Sequence, residues 1–225
     1  AGNSGQLVSS VAIGDSAGQT TQGTLSVAIG HDAGKSSQST SSVSIGDSAG
    51  QTTQGTLAVA IGKDAGSTSQ GANSVAMGNL AGNSGQLVSS VAIGDSAGQT
   101  NQGTLAIAIG KNAGATAQGT NSVAMGNLAG NSGQLVSSVA IGDSAGQTNQ
   151  GTLSVAIGHD AGKAGQLVSS VAVGDTAGQT TQGTLAVAIG KAAGTTSQGA
   201  NSVAMGNLAG NSGQLVSSVA IGGEA

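Results

Sequence analysis

The chain predicts an all-β fold, a parallel β-solenoid of the β-roll kind with about 14 coils of 16 residues, on three observations. A Gly-x-x-Ala-Gly signature recurs every 16 residues without a slip, its first glycine running Gly14, Gly30, Gly46, Gly62 and so on to Gly222. A glutamine stands eight residues after that glycine from Gln22 to Gln214. Just before the glycine, branched aliphatics alternate with small residues, the pattern of a half-buried strand. A fixed short period makes each unit one turn of a stacked coil.

The unit from Gly55 to Gln70, GTLAVAIGKDAGSTSQ, supplies the elements in order. Leu57, Val59 and Ile61 alternate with Ala58 and Ala60, which predicts a strand. Gly62 ends it, and Lys63-Asp64 marks a solvated corner. Gly66 offers a second bend and Gln70-Gly71 a third, because glycine tolerates the positive φ of tight turns. Ser67 to Gln70 reads as a second, shorter strand. A helix is excluded, since each glycine in its interior would cost about 1 kcal/mol. Strand spacing of about 4.8 Å then gives fourteen coils a length of roughly 65 Å.

Stacking sets equal positions above one another. The Val/Ile column (Val11, Val27, Val43 and onward) and the Ile/Met/Val column two residues later are expected to face inward as the core. Most coils add one leucine; the unit Ser39 to Gln54 has none and is expected to be the weakest. The other strand face holds Ala12, Ala28, Ala60, Ala76, Ala92 and Ala108, broken only by Ser44, with Ser or Ala two residues earlier. A solvated face would drift to Thr, Lys or Glu, so this stripe is expected to lie against another subunit. Three aliphatics per coil at about 1.5–3 kcal/mol each fall short of ordering 16 residues at about 1–2 kcal/mol apiece. The chain is therefore expected to oligomerise.

Two polar columns accompany the strand. Gln22, Gln38, Gln54, Gln70 and Gln86 begin a ladder expected to bond amide to amide and staple the coils. After the first glycine the column reads Asp15, His31, Asp47, Lys63, Asn79, Asp95, Lys111, and every Asp in it is followed one coil later by Lys or His. Such exposed pairs are worth roughly 0.2–1 kcal/mol each and hold register between coils.

Composition narrows the function. Charged residues are 6%, glycines number 42, and aromatics, prolines and cysteines are absent, which fits neither a solvated disordered chain nor collagen. A net charge of −4 offers no basic track for nucleic acid. No apolar run is long enough to span a membrane. No Ser/His/Asp or paired-carboxylate set occupies a unique place, and no second ligand type recurs beside His31 or His159 in a usable set. No enzyme, cofactor or metal site is expected. The chain opens and closes in mid-repeat, so residues 1–225 are read as one continuous, uncapped array cut from a longer protein. A threonine column (Thr20, Thr52, Thr68, Thr100, Thr116, Thr148, Thr180, Thr196) supports a runner-up reading, an ice-binding solenoid.

The string Asn-Ser-Val-Ala-Met-Gly at Asn73–Gly78, Asn121–Gly126 and Asn201–Gly206 resembles the head repeats of trimeric autotransporter adhesins, the YadA-like heads. Ser-Val-Ala-Ile-Gly at Ser10–Gly14 and Ser90–Gly94 does so too. The Ala-Ile-Gly-x-x-Ala-Gly repeats are also similar to those of phage and large-virus fibres. The resemblance implies a left-handed β-roll, a homotrimer packed through the Ala/Ser stripe, and display on a cell or virion surface. It also implies attachment to host matrix or cell-surface molecules through many repeated contacts.

Overall fold

The computed structural model describes residues 1–225 and is all-β, with no helix. Parallel strands recur on stacked coils about 16 residues apart, making a β-solenoid of about 13 turns, because fourteen strands of one kind bound thirteen full turns. Contacts divide the chain into two units, Ala1–Thr116 and Ala117–Ala225.

In the first unit the main strands are Val11–Ile13, Val27–Ile29, Val43–Ile45, Val59–Ile61, Val75–Met77, Val91–Ile93 and Ile107–Ile109. They pair in parallel and in register, Val11 on Val27 and Ala12 on Ala28, with the same match repeated up to Ile107 on Val91. The second unit repeats this with Val123–Met125, Val139–Ile141, Val155–Ile157, Val171–Val173, Val187–Ile189, Val203–Met205 and Val219–Ile221. Three residues is all the strand the sequence allows, because the following glycine turns it. Gly62 has φ 127°, and a Cβ there would lie 2.5 Å from the carbonyl oxygen of Gly78 on the next coil. Only glycine meets both demands.

The expected second strand exists but is uneven. It forms at Thr21–Gln22, Ser37–Gln38, Thr53–Gln54 and Thr100–Gln102 in the first unit, and at Ala164–Gln166, Thr180–Gln182 and Thr196–Gln198 in the second. In the coil Gly55 to Gln70 only single bridges join Gln70 to Gln54 and Gln86.

The third bend differs from expectation. Gly71 is absent from the positive-φ residues; the left-handed turn falls on Asn73 at φ 56°, and its counterpart Leu57 has φ 59°. What Gly71 supplies is clearance, since a Cβ there would sit 2.6 Å from the backbone of Leu87.

The facing of the main strand is the reverse of the sequence expectation. Ala28, Ala60, Ala76, Ala92 and Ala108 are wholly buried within their own coils, and the aliphatics beside them are partly or largely exposed. The interior also holds the alanines of the Ala-Gly pairs, such as Ala33, Ala49 and Ala65, the Ser or Ala before each valine, and the glutamines. The glutamine amides and the alanines of the Ala-Gly pairs already fill the interior of the 16-residue coil, so the inward positions of the strand take Ala or Ser and the branched residues face outward. The missing leucine of Ser39 to Gln54 therefore costs the interior nothing. That coil instead gains side-chain bonds, with Ser44 Oγ donating to Gln54 Oε1 (2.7 Å) and accepting from Gln38 Nε2 (3.4 Å).

Candidate functional site

The alanines Ala12, Ala28, Ala60, Ala76, Ala92 and Ala108 were expected to form the subunit stripe. They line the interior of their own coil, with Ala12 half-buried in the first coil, and are not a surface that another chain could touch.

The glutamine ladder is internal. Gln22, Gln38, Gln54, Gln70 and Gln86 are buried, but their main partners are backbone carbonyls rather than one another. Gln38 Nε2 donates to Val27 O (2.7 Å) and Ser42 O (3.3 Å), Gln54 Nε2 to Val43 O (2.7 Å), Gln70 Nε2 to Val59 O (2.7 Å), and Gln86 Nε2 to Val75 O (2.8 Å). Each amide thus ties the strand of its own coil to the corner that follows. Amide-to-amide bonds occur from Gln54 to Gln70 (3.2 Å), Gln166 to Gln182 (3.1 Å) and Gln182 to Gln198 (3.2 Å). The oxygen end rests over the second glycine of the signature: a Cβ at Gly82 would lie 2.6 Å from Gln86 Oε1. Gly-x-x-x-Gln is therefore one steric unit.

Charge is confined to one corner. Every Asp, Glu, Lys and His falls on the two residues after the first glycine or the one after the second, and the seven residues before the first glycine carry none in any coil. His31 Nδ1 meets Asp47 Oδ1 at 2.9 Å, while its Nε2 is 3.9 Å from carboxylate oxygens of both Asp15 and Asp32. His159 meets Asp175 at 2.9 Å. The hydrogen bond from Asp47, then the charge of Asp32, raise the His31 pKa above its ordinary value, with Asp15 adding to this. His159 is raised likewise, by the bond to Asp175 and the charges of Asp160 and Asp143. At Asp32 partial burial pushes upward, but the bond and charge of Lys35, with His31 and Gln51, bring its pKa below the usual carboxylate value. Asn79 donates to Asp95 at 2.8 Å. Lys63 and Lys111 stand one coil from Asp47 and Asp95 in the expected order, without an ion pair inside 4 Å. Sequence order did not single out Asp32 and Lys35, which close at 3.1 Å; their three-residue spacing was the available signal.

Part of the threonine column is tied to the backbone of the next coil. Thr52 Oγ1 donates to Ser67 O (2.8 Å), Thr100 to Ala115 O (3.0 Å) and Thr180 to Thr195 O (3.0 Å).

What remains open to the outside is apolar. On the strand, Ile93 is 37% and Met77 39% exposed, flanked by half-buried valines. On the corner before it stand Leu25, Leu57 and Leu105, with Leu7-Val8 and Leu87-Val88 in other coils, the second unit matching with Leu153 and Leu185 and with Leu135-Val136 and Leu167-Val168. Large exposed apolar surface without charge marks an interaction face. The sequence signal for it was the confinement of Val, Ile and Met, and of every leucine except Leu80, Leu128 and Leu208, to an uncharged stretch of each repeat.

The family model described as YadA head domain repeat (2 copies) matches residues 54–81, 102–129 and 182–209. Each matched segment runs through one coil of the Leu57 kind into one with methionine on the strand: Leu57 and Met77, Leu105 and Met125, Leu185 and Met205. No curated protein and no solved structure matches. The outer apolar face and the tightly filled interior thus sit on coils whose repeat, over those three segments, is of the YadA head type.

Proposed function

We propose that this chain is a segment of a surface-displayed, adhesin-like fibre protein that works as a homotrimer and attaches by many repeated weak contacts. YadA head repeats on a β-solenoid fit an adhesin-like structural protein rather than an enzyme. The observation that carries the assembly is the outward Val/Ile/Met face, uncharged in every coil and exposed on the single chain. The interior, made of Ala, Ser and Gln, buries little apolar area, and an external apolar contact supplies what it lacks. Trimers are the form of the YadA head family. Multivalency then lets contacts too weak to hold singly act together. The charged corner, on the far side of the signature glycine, is the part left to face surroundings such as matrix proteins.

Light scattering across a dilution series tests this reading. A stable three-chain mass is expected, and a folded single-chain mass at high concentration would overturn it. Binding of the assembled protein to a matrix-coated surface is expected to vanish when Ile93→Ser and Ile141→Ser break the assembly.

A further inference from the structure

A second apolar surface adjoins the strand face and carries an unusual backbone cost. Leu25, Leu57, Leu105, Leu153 and Leu185 have φ between 57° and 59°, the left-handed region that leucine avoids, and are 56–60% exposed. The same corner position in other coils holds Ser9, Ser41, Ser89 or Asn73, Asn121 and Asn201 at the same φ. Asparagine and serine tolerate that conformation better than leucine. The chain therefore keeps a strained side chain in water at a place where it elsewhere uses a residue better suited to both. Strain retained at a fixed place points to a role outside the coil.

Resting on the homo-oligomer reading above, we infer that this leucine corner is the second half of the subunit contact: the strand face of one copy seats against the leucine corner of its neighbour. Charge and area favour a second copy as the occupant. Neither surface bears a charge in any coil, so the two complement each other and nothing charged is stranded between them. Burial of one large aliphatic removes about 60–120 Å² from water. Half a leucine at three corners and a third of two strand residues in each of seven coils give the first unit about 550 Å² counted over both partners, and the second unit, with two such leucines, about 500 Å², so the contact of a whole chain reaches the roughly 1,000 Å² total that a specific interface must clear. Two different surfaces meeting in each contact make it heterologous, and a heterologous contact that closes gives a ring of three or more rather than a two-fold dimer.

The test is a variant with Leu25→Asn, Leu57→Asn, Leu105→Asn, Leu153→Asn and Leu185→Asn, which installs the residue that three sister coils already carry. A Leu→Ser set, matching the serine coils, serves if the asparagine chain folds poorly by circular dichroism. Ser41→Asn, Ser89→Asn and Ser137→Asn are the control at the same corner. The leucine variant is expected to be a folded single chain at concentrations where the parent and the control are assembled. At dilutions where all are single chains, its unfolding midpoint is expected to rise by about 5–20 °C as the strain is relieved. Loss of assembly with gain of chain stability is the signature, since a leucine serving only its own coil would lower both. An assembled parent whose leucine variant keeps the parent mass overturns the corner and leaves the strand face standing. A parent that is itself a single chain overturns both.

Discussion

Replacing Gly82 by alanine tests whether glycine and glutamine form one steric unit. Gly82 has φ 52°, and a Cβ there would meet Gln86 Oε1 at 2.6 Å, Gln86 Cδ at 2.8 Å and Ala76 Cβ at 3.3 Å. The left-handed backbone alone costs alanine about 1–2 kcal/mol. Pushing the amide aside weakens the bond from Gln86 Nε2 to Val75 O (2.8 Å) and adds about 1–2 kcal/mol. Gly82→Ala is thus expected to destabilise its coil by about 2–4 kcal/mol. Gly213 isolates the backbone term: its φ is 68°, and a Cβ there meets nothing within 4 Å. Coils of a stacked array open locally, so native-state hydrogen exchange is the assay, read at Ser84 N–H (bonded to Gln99 O, 2.9 Å) and Ser217 N–H (bonded to Ala200 O, 2.9 Å). Exchange at Ser84 should speed up about 30- to 900-fold in Gly82→Ala, and at Ser217 about 5- to 30-fold in Gly213→Ala. In the double variant with Gln86→Ala the added methyl has room, so the two effects should fall short of additive by about 1–2 kcal/mol. Equal acceleration at both glycines, or an additive cycle, would refute the steric unit.

Further outcomes follow from the inverted strand. Ala92→Leu crowds a wholly buried site and should cost about 3 kcal/mol or more by denaturant unfolding, whereas Ile93→Ser should barely move chain stability but lower the assembled mass. Ser44→Ala removes the 2.7 Å bond to Gln54 Oε1 and is expected to cost about 0.5–1.5 kcal/mol by the same measurement, although alanine is the residue of the sister coils. The histidines give a pH dependence: with His31 and His159 raised above their ordinary value near 6.5, the folded chain binds the extra protons. Their contribution is complete below that value and lost as pH rises through the folded one. The midpoint should therefore fall as pH rises above about 6.5 and stay flat in His31→Asn with His159→Asn; a parent curve matching the variant's as pH rises would refute the pairing.

The 16-residue period made the coil, its parallel register and its turns at Gly62 and Gly66 readable, because positive φ and close backbone approach leave few other residues possible. The facing of the strand was not readable from hydropathy. That rule sends Val59 and Ile61 inside and Ala60 outside, and the interior, already filled by glutamines and alanines, takes Ala60. The better signal was the monotony of Ala and Ser: a position that tolerates nothing larger is crowded, not merely covered. Gln70 was expected to bond amide to amide along the ladder, yet its Nε2 donates to Val59 O, 11 residues back across the coil, where no local pattern could point. The His31 corner was readable in order and partly in pairing, since stacking brings Asp47 to it but leaves Lys63 to solvent. Left-handed leucines such as Leu57 could not be seen at all, because nothing in the sequence marks a residue as strained.

Nearly the same set of interior side chains fills every coil, so almost no coil owns a contact that its sisters lack. Duplicating or losing one whole repeat sets the same alanines, glutamines and glycines above one another again and poses the folding chain no new problem. A change of any other length breaks the match at once. Recombination between near-identical repeats can therefore alter how many coils the polymer has in whole steps, which makes repeat number an inherited trait adjustable without inventing new structure.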